Sequence, residues 1–100
     1  MSNQSSDPTV RRLRREISRV DRTILAVINT RIELVARLKD HKARTGLPFV
    51  DPDRERELIE ELDRMNHGPL SPEGLRELYL TLLDLTKREV ARDGNAPPAS

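Results

Sequence analysis

One helix in this chain is too long for the chain that contains it. Asp7-Pro8 offers a capping side chain followed by proline at the first helical position, and Gly46 with Pro48 supplies the next stop. Between them Leu13, Ile17, Val20, Ile24, Ile28, Val35 and Leu38 recur at three-, four- and seven-residue steps, the spacing of one helical face. A helix over 8–44 is about 55 Å long at 1.5 Å per residue. A compact 100-residue domain has a radius of gyration of only about 13 Å. Further starts at Asp51-Pro52 and Ser71-Pro72, with a stop at Gly68-Pro69, place shorter helices over 52–66 and 72–92. Those two cover little more than half of such a rod, so the rest of its apolar seam needs another chain. The expected fold is all-α, with three helices per chain, a very long first helix and an intertwined helical homodimer. The helical domain is expected over 8–92, with residues 1–7 and 93–100 as disordered flanks.

Composition agrees with a helical domain. Charged residues make up 35% of the chain and aromatics 2%, with no Trp. No apolar run reaches the length of a membrane span, and MSNQSSDPTV lacks the apolar core of a signal peptide. Without cysteine there is no disulfide, thiol nucleophile or thiolate metal site. A cytoplasmic location is expected. Net charge is +1, unevenly placed: residues 1–45 carry 11 Lys/Arg against 5 Asp/Glu, and residues 46–100 carry 7 against 12. The two halves can compensate one another across an assembly. Nucleic acid ranks last as a partner, because stacking aromatics are missing and the basic residues encircle the first helix.

The seam is interrupted by charge. Arg31 and Lys42 fall in the same series as Leu13, Ile24 and Leu38. A cation on a core face costs several kcal/mol unless an anion meets it there. Singly, each has a plain explanation: arginine snorkels at interfaces, and a lysine near a helix end complements the macrodipole. As a pair, about 16 Å apart along the axis, they suit a ligand of small-metabolite size. In Asp51-Pro52-Asp53-Arg54-Glu55, Asp51 caps a helix and Asp53 and Glu55 favour its positive end. Glu55 also shares a face with Leu58, Ile59 and Leu62, with Arg54 beside it. On the third helix the inward series Tyr79, Leu83, Thr86, Val90 includes one hydroxyl, which can also bond its own helix backbone. The inward set Arg31, Lys42, Arg54, Glu55 and Thr86 has three cations to one carboxylate, so the missing partner is an anion, such as a dicarboxylate. His41 and His67 are isolated, and no catalytic triad, phosphate loop or metal-ligand spacing is present. If the chain is an enzyme, its chemistry needs neither nucleophile nor metal, which leaves electrostatic and conformational catalysis.

Taken in order, these segments resemble the all-helical chorismate mutase family from about Val10 to Val90. The resemblance is carried by Leu13-Arg14-Arg15-Glu16-Ile17 with Val20-Asp21, then Ile24-Leu25 and Arg31, then Lys42 with Gly46-Leu47-Pro48. The most specific piece is Asp51-Pro52-Asp53-Arg54-Glu55, and Asn66-His67-Gly68-Pro69-Leu70 closes the second helix as in some members. It implies two swapped first helices, two active sites per dimer, and no cofactor or metal. It also implies that Arg14 reaches the other subunit's site. Arg14 and Arg31 lie about 26 Å apart on one straight helix, so an antiparallel partner is needed to bring them together. Asp21 stands on the flank of Arg14, where it can orient that guanidinium.

The family reaction is the pericyclic rearrangement of chorismate to prephenate, in the pathway to phenylalanine and tyrosine. By resemblance, Arg31 and the partner's Arg14 bind the substrate carboxylates, and Lys42 meets the ether oxygen and a carboxylate. Glu55 accepts the ring hydroxyl with help from the backbone at Asp51, Arg54 supports the carboxylate region, and Thr86 stands where many members place a small polar residue on the substrate. Lys42, Arg31 and Glu55 are the implied catalytic residues. One position departs. Many members carry Gln or Glu as a second ether-oxygen donor where this chain has Val90, and losing such a donor costs on the order of 3 kcal/mol in the transition state. The expected enzyme is therefore working but not fast, with a larger shikimate-pathway enzyme as a candidate partner. Rival readings are isochorismate pyruvate lyase, aminodeoxychorismate mutase, and a non-catalytic helical dimer serving as an interaction module.

Overall fold

A computed structural model describes residues 6–95, with side chains described as far as Arg92. It consists of α1 (Pro8–Thr45), α2 (Pro52–Met65) and α3 (Pro72–Asn95), with no strand among the described residues. The same device starts each helix. Asp7 Oδ1 accepts from the amides of Thr9 and Val10 at 2.8 and 3.1 Å, Asp51 Oδ1 from Arg54 N at 3.1 Å, and Ser71 Oγ from Gly74 N at 3.0 Å. A proline follows each cap, where its missing N–H goes unused. α1 and α2 end within a residue of expectation. α3 runs to Asn95, three residues beyond its expected end. Expected disorder at residues 1–5 and 96–100 lies outside the described residues.

The stop after α1 is a left-handed glycine. Gly46 has φ +74°, and Leu47 N reaches back to the Lys42 carbonyl at 2.8 Å, the long-range bond of a Schellman cap. Asn66 organises the exit from α2: its side-chain amide donates to Leu70 O at 2.7 Å, and its Oδ1 accepts from Gly68 N at 3.2 Å.

The chain divides into two compact units, one ending at Arg31 and one beginning at Ile32. In the first, no residue of the helix is buried; Leu13, Ile17, Val20 and Ile24 stand about half exposed. In the second, α2 packs on α3. The buried apolar residues Leu75, Leu83 and Val90 all belong to α3, and Thr86 is buried among them on the same helix. Leu58, Ile59 and Leu62 of α2 are half-buried. The half-buried stripe of α1 in this unit is Ile32, Val35, Ala36, Lys39 and Lys42, whereas Leu34 and Leu38 remain exposed. Leu38, expected on the packed seam, is thus displaced from it, and Lys39 takes the inward place. A helical face is wider than one line on a wheel, and here the covered edge carries Lys39, whose ammonium reaches the Val90 carbonyl of α3.

Candidate active site

One turn of α3 receives side chains from both other helices. The rise from Lys87 to Val90 is about 4.5 Å. Lys39 of α1 donates to the Val90 carbonyl at 3.4 Å. Glu55 of α2 pairs with Lys87, Oε1 to Nζ, at 2.6 Å. Thr86 adjoins Lys87 and is 2% exposed, with its hydroxyl donating to Leu82 O at 2.7 Å. That bond is made to its own helix, so the Thr86 proton serves α3. Val90, also 2% exposed, is packed and cannot donate through its side chain.

The turn after α1 is held by lysine. Lys42 Nζ donates to the Phe49 carbonyl at 3.2 Å, spending one of its three protons. Lys39 Nζ stands 5.7 Å from the centroid of the Phe49 ring, within cation–π range. Two half-buried ammonium groups, one turn apart on α1, therefore converge on a single residue. Among the described residues neither forms an ion pair with a carboxylate. Carbonyls and a ring face orient a cation without cancelling its charge, so the field here remains positive and suited to an anion. Glu55, by contrast, has its charge met by Lys87, and Oε2 is left to accept a proton-bearing group.

The other expected site residues are placed as follows. Asp51 is exposed and its carboxylate is used by the α2 cap. Arg54 is exposed, its backbone amide closing that cap, so it lies at the margin rather than on the inward face of α2. Arg14 and Arg31 belong to the first unit: Arg14 is exposed beside Arg15, Ser18, Arg19 and Arg22, and Arg31 is half-buried. Sequence reasoning missed Lys39 and Lys87. Lys39 had a signal, since it precedes Lys42 by one turn on the same face. Lys87 had none, because its partner lies on another helix.

Three helices that gather half-buried ammonium groups and one carboxylate around a turn define a class: a small all-helical domain suited to a compact polyanion. His, Asp and Glu form no metal-binding group among the described residues, and no helix is long and apolar enough to cross a membrane. The model of the type II chorismate mutase family matches residues 13–90, and the chain belongs to that family. It is 34% identical over 87 residues to a bifunctional chorismate mutase/prephenate dehydratase of Aquifex aeolicus (strain VF5). That match covers 79% of this chain and 24% of the relative, so the chain spans about a quarter of that protein's length. Two solved structures of chorismate mutase from Thermus thermophilus are similar. Form I gives a TM-score of 0.77 at 33% identity, covering 78% of this chain and 98% of that one. Form II gives 0.80 at 32% identity, covering 84% and 96%.

Proposed function

We propose that this chain is a cytoplasmic chorismate mutase that converts chorismate to prephenate and works as an intertwined homodimer. The observation that carries the reading is Lys42, a half-buried ammonium fixed by the Phe49 carbonyl at 3.2 Å and unmatched by a carboxylate among the described residues. The reaction is unimolecular. Breaking of the ether C–O bond runs ahead of C–C bond formation, so negative charge grows on the ether oxygen. A cation held there before the reaction begins stabilises the transition state more than the ground state. Lys42 supplies that cation. Its anchor at Phe49 limits the reorganisation needed when charge develops, and its remaining protons reach the ether oxygen and a carboxylate.

Glu55 accepts the ring hydroxyl through Oε2 while Lys87 holds Oε1. Arg31 and the partner's Arg14 clamp the two carboxylates, which folds the enolpyruvyl arm over the ring and removes the entropy of finding that pose. Arg54 and the Asp51 backbone complete the mouth of the site. The dimer is supported by the row Leu13, Ile17, Val20, Ile24, each about half exposed among the described residues. Product analysis tests the reading. Purified protein is offered chorismate, isochorismate and aminodeoxychorismate in turn; prephenate from chorismate is expected, and turnover of either other substrate alone overturns the assignment.

A further inference from the structure

We propose that Lys39 is a further catalytic residue, delivering the second donor to the ether oxygen that Val90 cannot provide. The inference rests on the mutase reading above. At Val90 the side chain is apolar and buried, the carbonyl only accepts, and the backbone N–H lies within the α3 ladder, so the side chain offers no donor to an anion. The donor beside it is Lys39 Nζ, 3.4 Å from the Val90 carbonyl. That distance is at the long limit for N–H···O, so the contact is weak and readily exchanged for a stronger acceptor. Lys39 stands one turn before Lys42 on α1, half-buried like it. Their ammonium groups bracket Phe49, one at its carbonyl and one at 5.7 Å from its ring centroid.

Charge supports the same role. A tie between α1 and α3 needs only a hydrogen-bond donor. Placing a second ammonium near Lys42, with neither matched by a carboxylate among the described residues, adds repulsion that such a tie does not require. A bound dianion relieves that repulsion. The relief is greatest when negative charge has gathered on the ether oxygen, so the pair lowers the barrier rather than only tightening binding. In this chain the donor has moved from the α3 side chain to the facing helix.

The test compares wild type, Lys39→Met, Lys42→Met and the double variant Lys39→Met/Val90→Gln in chorismate turnover, with thermal melts of each. Lys39→Met is expected to lower kcat at least about tenfold with KM changed less than about threefold and its melting temperature retained. Val90→Gln in the Lys39→Met background is expected to restore most of that loss, because it returns a donor to the same place. The inference is overturned if Lys39→Met stays within about twofold of wild type while Lys42→Met is inactive. It is also overturned if the loss persists in the double variant. A wild type that leaves chorismate unchanged, or a Lys42→Met variant as active as wild type, refutes the mutase reading itself and the Lys39 role with it.

Discussion

Ile24→Arg should separate the proposed dimer. Leu13, Ile17, Val20 and Ile24 are 46%, 59%, 57% and 46% exposed, so each still has about half of its side-chain surface to bury. Full burial of such a side chain is worth about 1.5–3 kcal/mol, and half of that is about 1 kcal/mol. Four positions on each of two protomers give about 8 kcal/mol gross, comparable with the lower estimates for the cost of association. The seam therefore has little surplus of its own. A two-fold interface meets every substitution twice. Ile24→Arg forfeits about 2 kcal/mol of apolar burial per dimer and buries two unpaired guanidinium groups, each costing several kcal/mol unless it escapes to water. A loss of about 4 kcal/mol weakens association by roughly a thousandfold. Sedimentation velocity at micromolar concentration is the assay. Wild type should run at twice the chain mass of 11.5 kDa and Ile24→Arg at the chain mass, with activity falling in step. A wild type that is monomeric yet fully active, or an Ile24→Arg protein that stays dimeric with unchanged melting, refutes the reasoning.

Other consequences are smaller in energy. Lys87→Ala removes the partner of Glu55, but both side chains keep about a third of their surface in water, so the pair contributes no more than about 1 kcal/mol to stability. The melt should barely move, while KM or kcat worsens because Glu55 is no longer held; an unchanged activity would mean that Glu55 does not meet substrate. Gly46→Ala meets no neighbour within 4 Å, so its cost is the left-handed backbone alone, about 1–2 kcal/mol, read as a melting temperature lower by roughly 4–16 °C. A variant that melts with wild type would remove φ +74° as the reason for glycine. Asp51→Ala deletes the α2 cap bond and should cost about 1 kcal/mol in a urea melt, whereas Asp51→Asn should cost less.

Helix starts and stops were legible because they are local. Asp7-Pro8, Asp51-Pro52 and Ser71-Pro72 carry cap and first-turn proline in adjacent residues, and Gly46 needs only its own φ. Ser71 and Asp51 therefore needed no knowledge of the rest of the fold. The exposed row from Leu13 to Ile24 follows in the same way from the mismatch between helix length and chain length. The polar site was legible only in part. Lys42 and Glu55 stand out by sharing faces with apolar residues, but the pairing of Glu55 with Lys87 joins two helices and leaves no periodic trace. Leu38 and Lys39 are neighbours, and which of them turns inward depends on contacts made outside α1. Hydropathy favours Leu38 inside; the packed unit keeps Lys39 there, where Val90 O and Phe49 receive its ammonium. Thr86 was ambiguous for a physical reason, since its hydroxyl can serve either ligand or helix, and here the proton goes to Leu82 O.

In the proposed mechanism a preplaced Lys42 charge accelerates a unimolecular rearrangement. Single-turnover and steady-state loss of chorismate, followed by absorbance for wild type and Lys42→Met, tests it directly. Wild type should form prephenate, and Lys42→Met should lose about 100- to 1,000-fold in kcat, the scale of removing one transition-state donor, while remaining folded and dimeric. A folded Lys42→Met protein that turns over within about tenfold of wild type would contradict the account.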